Sequence, residues 1–559
     1  MVEETIILEN SDELIDINEN FKLTAGPGSG KTRFLINHIN NVIKNSNKLK
    51  NGRKIACITH TNVAVDNVKK RLKKSTMNVE VSTIHSFLYK HVFKPYIWTV
   101  HKEFNLNIYP IQSIKEAYPS HSLLPGEYWM VENIKEENLF DSLRKLKWVY
   151  DDNGKLQVKT FGFDNIQYTY LKKYKNNCWK KGLISPEDIL FFSYHILTKT
   201  PQILTILKTK FPYIFLDEFQ DTSALQSEII KLMANNGINI GVIGDEAQSI
   251  YEFQDANIES FINFNIDEPL KKYFIKNNYR SNIDIVNILN HINRNEFQQI
   301  CCKETNNYII KPTIIIGNKI GAYKKIVKLL NSKDFYSLTY KNKDINRLKF
   351  ELDYGNESNY INNINNIFSE DNYYRRLILR YTILAIEAFR NKTIRDAKSF
   401  MKFAYKNYKF DDLNALNNLF RLNSKYDSFK DLTITEFYNT YIYDRFGVKY
   451  KITNSKVKRE YYDKYTYTDF ALNLNKKMID SHFRTIHSCK GEEFKNVALF
   501  LDSEEELEFL KKPNILHENH RRDYVALSRT KENLIIVVPT LDKEDYEIFQ
   551  SIGFNILKL

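Results

Sequence analysis

The sequence predicts an α/β protein with two parallel-sheet domains, each interrupted by a mainly helical insertion. Three observations lead there. Short apolar runs that read as buried strands each open into a polar loop: Phe21 to Thr24, Ile55 to Thr59, Tyr213 to Leu216 and Ile240 to Gly244. A second set follows, with Thr313 to Ile316, Tyr336 to Tyr340, Val497 to Leu501 and Leu534 to Val538. Between the sets the pattern from about Lys349 to Ile479 turns helical and basic, as in Arg375-Arg376-Leu377-Ile378-Leu379-Arg380. At 559 residues the chain is also too long for one ordinary core.

Composition narrows the classes of partner. Hydrophobic residues make up 43%, which suits core-forming domains. A formal net charge of +13 suits a polyanion, although basic charge alone is often only a solvated surface. The five cysteines (Cys57, Cys178, Cys301, Cys302 and Cys489) show no CxxC spacing, which predicts a reduced, cytoplasmic protein without zinc or disulfides. The first twenty residues are acidic and lack a signal core. No apolar run is long enough to span a bilayer, so no membrane association is expected.

The first element with chemistry is Ala25-Gly26-Pro27-Gly28-Ser29-Gly30-Lys31-Thr32. It lies between a strand and the helical pattern Phe34-Leu35-Ile36, Ile39, Val42-Ile43, which is the context of a P-loop. Glycines let backbone N–H groups turn onto phosphate oxygens, and the helix N-terminus adds positive potential. Lys31 would reach the β- and γ-phosphates, and the Thr32 hydroxyl would ligate Mg²⁺. Taken alone, this loop says only that a nucleoside triphosphate binds.

The most informative stretch is Asp217-Glu218-Phe219-Gln220-Asp221-Thr222, at the end of the apolar run Tyr213 to Leu216. Two adjacent carboxylates at the end of a buried strand are costly unless a cation or a reacting water uses them. Asp217 would hold Mg²⁺ and Glu218 would orient the attacking water. Further strand-to-loop junctions carry His60-Thr61-Asn62, Thr83-Ile84-His85, and Asp245 through Ala256 with Gln248 and Phe253. Then come Asn278-Tyr279-Arg280-Ser281, the run Arg484 to Phe494 with His487, Lys490 and Glu493, and Tyr524 to Lys531 with Arg529. For the His60 and Thr83 segments a plain strand-to-helix turn competes with a phosphate-contacting loop. For Phe253 a core position and a base platform compete at near parity.

In this order the segments resemble the motifs of the UvrD/Rep helicases of superfamily 1, and the resemblance runs from Ala25 to Lys531. It implies two RecA-like P-loop domains with ATP and Mg²⁺ in the cleft between them. Lys31, Glu218, Gln248, Arg280 and Arg529 would then be catalytic, with the two arginines as fingers. Ala25, Gly26, Gly28, Ser29, Gly30, Lys31, Thr32, Tyr279 and Glu493 would hold the nucleotide, with Tyr279 stacked on adenine and Glu493 on the sugar. Thr32 and Asp217 would hold the metal. His60, Thr61, Asn62, Thr83, His85, Phe253 and His487 would meet nucleic acid. The chain departs from the family pattern at Ala25 (usually Gly), His60 (usually Phe), Phe253 (usually Trp), Gln254-Asp255 (usually Arg-Gly) and Glu492 (usually Leu). The Gln that relatives carry upstream of the P-loop to read adenine is missing, since no Gln occurs between Met1 and Lys31.

The implied division is domain 1A in residues 1–90 and 186–268 around insertion 1B in 91–185, and domain 2A in 269–348 and 481–559 around insertion 2B in 349–480. Trp98, Trp129, Trp148 and Trp179 with neighbouring lysines would either line a single-strand channel or form a small aromatic core. The implied activity is an ATP-driven helicase or translocase moving 3′ to 5′ on single-stranded DNA, or on duplex DNA with a single-stranded tail. The compact insertions are also similar to those of UvrD-like subunits in bacterial anti-phage systems such as Gabija, which implies as the alternative an ATPase that senses DNA and nucleotide and regulates a partner nuclease. A phosphotransferase of another class needs only the P-loop and leaves the later motifs unexplained.

Overall fold

The computed structural model describes residues 5–72, 77–109, 121–126, 139, 142–151, 153–160, 166–251, 256–294, 296–303, 310–354, 364–406, 408, 411–474 and 482–559. Its frame is two parallel sheets. The first has seven strands in the spatial order Ile6–Leu8, Leu270–Ile275, Asn20–Ala25, Asn239–Gly244, Tyr213–Leu216, Ile55–Thr59, Val79–Thr83. The second has six: Phe483–Thr485, Tyr336–Thr339, Phe494–Phe500, Thr530–Val538, Thr313–Ile316, Asn555–Lys558. Tyr213–Leu216 is buried at every position, as a central strand covered on both faces must be.

Every strand pair in the first sheet is parallel, so the strand ends point the same way and their loops gather at one edge. That edge carries Gly26, His60, Ile84, Asp217 and Asp245. Helices cover both faces. The helix Lys31–Asn45 buries Phe34, Leu35, Ile36, Ile39 and Val42 against one of them. Gly241 lies where any β-carbon would fall 2.3 Å from the Phe21 ring, so this strand needs glycine to let the aromatic layer close.

Two boundaries fall elsewhere than the sequence suggested. The strand Leu270–Ile275, placed by sequence on the far side of the break at 268/269, pairs with both Ile6–Leu8 and Asn20–Ala25. The helix Asn342–Tyr354 runs through the expected break at 348/349 and packs Ile345 and Leu348 into the core of the second sheet. A parallel strand's partner is set by long-range packing, so local composition does not reveal it.

The first insertion is not only helical. Leu146–Tyr150 and Leu156–Thr160 form an antiparallel hairpin. Trp148 and Trp179 are buried and stack with Phe191, Trp148 at a centroid separation of 3.9 Å, so the aromatic-core alternative holds for both. Trp98 is 63% exposed, and Trp129 lies outside the described residues. The helix Pro186–Lys199 returns the chain to the first sheet. Ser185 starts it through a reciprocal capping box with Asp188, and Pro186 occupies the first turn, where its missing N–H costs nothing.

The second insertion is helical, led by Tyr373–Arg390, Ile394–Ala404 and Asp412–Asn423, with its own core around Leu379, Ile383, Leu419 and Phe437. Among the described residues no helix is long and apolar enough to cross a membrane.

Candidate active site

The glycine loop leaves the strand Asn20–Ala25 and enters the helix Lys31–Asn45. Gly28 and Gly30 have φ of +74° and +87°, a region that favours glycine. Gly30 caps the helix without a side-chain hydrogen bond, so the first-turn N–H groups are left to an anion. The buried Ser29 hydroxyl donates to the Gly26 carbonyl at 2.8 Å and tightens the loop. Lys31 Nζ donates to the Ala25 carbonyl at 2.8 Å and lies 3.8 Å from Asp245 Oδ2. The Thr32 hydroxyl is 3.5 Å from Asp217 Oδ2.

Asp217 and Glu218 follow the strand Tyr213–Leu216 directly. Burial and the neighbouring Glu218 charge push the Asp217 carboxyl up to about 7. Burial also works against the Glu218 charge, yet the Lys31 and Lys490 ammonium groups hold its carboxyl below the usual range. The two carboxyls are thus driven apart, Glu218 remaining an anion that can accept from a water. Glu218 has φ of +55°, unusual for a residue with a side chain and typical of strained functional positions. Gln220 Nε2 donates to its Oε2 and fixes its direction.

The second sheet brings cations to the same cleft. Arg529 follows the helix Glu518–Ser528, is fully buried, and donates from Nη2 to Gln248 Oε1 at 2.8 Å. Gln248 Nε2 in turn donates to Asp245 Oδ2 at 2.5 Å, so one glutamine links the arginine to the carboxylate beside Lys31. Burial lowers the Arg529 guanidinium to about 10, which leaves it charged at neutral pH. Lys490 Nζ donates to Asp221 Oδ1 and to the Gln248 carbonyl, both at 2.7 Å. Arg280 donates to Glu493 Oε1 at 2.8 and 3.0 Å and to the Ser528 carbonyl at 2.9 Å. Glu493 also pairs with Lys531 at 2.9 Å, so both of its contacts here are cations. Tyr279 is 50% exposed at the cleft mouth, with its N–H on the Gly28 carbonyl.

The residues expected at nucleic acid are arranged differently. Thr61 accepts from the Ala64 N–H at 3.2 Å and Thr83 from the Ser86 N–H at 3.4 Å, so each caps the helix that follows it. Asn62 is exposed at the start of the helix Asn62–Leu72. His60 stacks on Tyr251 at 5.5 Å with an interplanar angle of 17°. His487 lies between Tyr251 and Tyr340, 6.3 and 5.9 Å from their ring centroids. His85 Nε2 is buried without a hydrogen-bond partner, in a cavity also lined by Arg144, Lys145, Lys147 and Lys175 and by Glu187 and Asp188, which pair with Lys147 and Lys175. Phe253 and Gln254-Asp255 lie outside the described residues.

Sequence reasoning missed Asp221 and Asp245 as members of the cluster, and Asn278 as the clamp that donates to the Pro27 carbonyl at 2.7 Å. Asp221 stood in the quoted motif, and its lysine partner is 269 residues away. Among the described residues no cluster of three or more His, Cys, Asp or Glu side chains could hold a metal ion by itself. Thr32 and Asp217 suit Mg²⁺, which keeps waters and phosphate oxygens and needs only one or two protein oxygens. The glycine cradle with Lys31 fits a triphosphate. Bound there, the metal would supply charge neutralisation for phosphate oxygens.

Two parallel sheets with a P-loop on one and the buried Arg529 from the other define a two-domain P-loop nucleoside triphosphatase core. Residues 9–269 match the model of the UvrD/REP helicase N-terminal domain, and residues 416–538 match that of the viral superfamily 1 RNA helicase core domain. The chain is similar to the ATP-dependent DNA helicase PcrA of Staphylococcus epidermidis, 27% identical over 276 residues, which are 48% of this chain and 37% of that protein. It is also similar to PcrA of Staphylococcus aureus, 25% identical over 283 residues, 50% of this chain and 38% of that protein. The matches thus cover well under half the length of these relatives. Over residues 9–269 the chain is thus similar to the UvrD-like superfamily 1 helicases.

Proposed function

We propose that the chain is an ATP-dependent DNA helicase or translocase that hydrolyses ATP with Mg²⁺ at the cleft between its two RecA-like domains and moves 3′ to 5′ on single-stranded DNA. The observation that carries this reading is the Lys31–Asp245–Gln248–Arg529 chain of contacts, which runs from the glycine loop to the second sheet. A group that responds to the γ-phosphate on one side is bonded to a charge carried by the other. Hydrolysis at Glu218 would alter both sides of the cleft together, and repeated closure and opening would become stepping.

In this reading Lys31 and the loop N–H groups bind the triphosphate, while Thr32 and Asp217 hold the metal. Glu218 orients the water and accepts its proton. Arg280 and Arg529 offer charged donor forks to the developing phosphoryl charge, Arg280 by leaving Glu493. The His60, Tyr251 and His487 rings and the cavity at His85 are the surfaces offered to DNA. The relatives named for DNA helicase activity support DNA as the track.

The test is ATP hydrolysis by the whole chain against single-stranded DNA, duplex DNA and RNA, with Glu218→Gln as control. Single-stranded DNA should stimulate most. Glu218→Gln should bind ATP but turn over at least about 10²-fold more slowly. Hydrolysis at the wild-type rate by Glu218→Gln would contradict the assignment.

A further inference from the structure

We propose that Gln299 contacts the nucleotide, its carboxamide N–H donating to an acceptor on the nucleoside triphosphate held by the glycine loop. The inference rests on the nucleotide reading of that loop and adds a residue outside every motif of the sequence. Gln299 directly precedes the short strand Ile300–Cys301, which pairs with Asn277–Asn278. Its backbone is locked by one side chain: its N–H donates to Asn290 Oδ1 at 3.0 Å, and its carbonyl accepts from Asn290 Nδ2 at 2.9 Å.

The direction of its side chain is fixed as well. Gln299 Oε1 accepts from Asn278 Nδ2 at 3.3 Å. Asn278 cannot be turned round, because its Oδ1 accepts from the Arg280 and Ser281 N–H groups at 2.9 and 3.1 Å while its Nδ2 donates to the Pro27 carbonyl. The Gln299 oxygen therefore faces Asn278 and its nitrogen faces away.

That nitrogen has no hydrogen-bond partner, although Gln299 is only 8% exposed. The amide lies flat on the first glycine of the loop: a β-carbon on Gly26 would fall 2.5 Å from Gln299 Cδ and 2.9 Å from Nε2. A buried donor without an acceptor is unfavourable and rare. Here it is held in place by Asn290 and Asn278 against the loop that receives the ligand. The arrangement suits a donor whose acceptor arrives with the nucleotide, and it places a glutamine at the site from the C-terminal side of the P-loop. Both base and triphosphate carry acceptors, and the probes below separate them.

The experiment is calorimetric binding of ATP, GTP and inorganic tripolyphosphate to the full chain and to Gln299→Glu and Gln299→Met, with steady-state ATPase kinetics and Tm without ligand. Gln299→Glu keeps the oxygen facing Asn278 and replaces the donor by an acceptor. Its ATP affinity should fall by about tenfold or more, with KM raised and kcat within about twofold, while the buried carboxylate lowers the ligand-free Tm. Gln299→Met introduces no charge and should lose affinity in the same direction with its ligand-free Tm unchanged. An acceptor on the triphosphate predicts equal losses for all three probes; one on the base predicts a loss for ATP and none for tripolyphosphate. A Gln299→Met variant that binds ATP like wild type, or that loses binding only as its ligand-free Tm falls, would overturn the proposal for Gln299 alone. A wild type that binds none of the probes would remove the nucleotide reading of the loop and this inference with it.

Discussion

The cleft and the strand-end loops beside it differ in how their polar side chains are engaged. In the cleft, side chains far apart in sequence are bonded to one another: Gln248 to Arg529, Lys490 to Asp221, Arg280 to Glu493. In the loops, Thr61 and Thr83 are bonded to backbone N–H groups three residues on. The cleft is thus a long-range network that needs both sheets, while Thr61 and Thr83 are satisfied within their own loops. Motif residues at one edge of one sheet can therefore serve two ends, and their spacing in sequence does not distinguish them.

The largest effect on stability should come from leaving a buried carboxylate of the network without its cation. Lys490→Met leaves the Asp221 carboxylate buried without its cation, a change that typically costs about 3–5 kcal/mol. It should lower Tm and the urea midpoint of the whole chain, and adding Asp221→Asn should recover part of the loss.

A smaller, pH-dependent effect is expected at Asp217. Its carboxyl moves from an ordinary value of 3.8 to about 7 on folding. The folded state therefore holds a proton through that window which the unfolded state has released. Stability falls as pH rises from the lower value to the upper, and the full penalty persists above it. Asp217→Asn removes the penalty, so it should raise Tm by roughly 2–4 °C at pH 8 and by almost nothing near pH 4, while abolishing Mg²⁺-dependent hydrolysis. Thermal melts at the two pH values check the sign.

The smallest effects belong to the loops. Thr61→Ala and Thr83→Ala should each cost about 1 kcal/mol of stability as lost helix caps, with nearly unchanged nucleic-acid affinity by fluorescence anisotropy. A large loss of affinity at unchanged stability would put these hydroxyls on phosphate instead and erase the contrast with the cleft.

The contrast also explains what could be read from sequence. Tyr213 to Leu216 followed by Asp217-Glu218 was legible because an apolar strand and its chemistry are contiguous, and the same holds for the glycine loop. Leu270–Ile275 was not assigned to the first sheet because nothing within it names its partners Ile6–Leu8 and Asn20–Ala25. The hairpin around Trp148 was hidden because Lys147-Trp148 reads equally as a basic, aromatic surface, and only the stacking of Trp148 on Phe191 makes it core. Asp221 and Gln299 acquire their places from Lys490 and Asn278, contacts that no local pattern encodes.

If the second sheet completes the hydrolytic site of the first, removing Arg529 should stop turnover without stopping binding. The measurement is steady-state hydrolysis of ATP by Arg529→Ala in the presence of single-stranded DNA. The expected result is a fall in kcat of about 10³-fold, with ATP affinity changed only a few-fold. A kcat equal to that of the wild type would show that the first sheet hydrolyses ATP without the second.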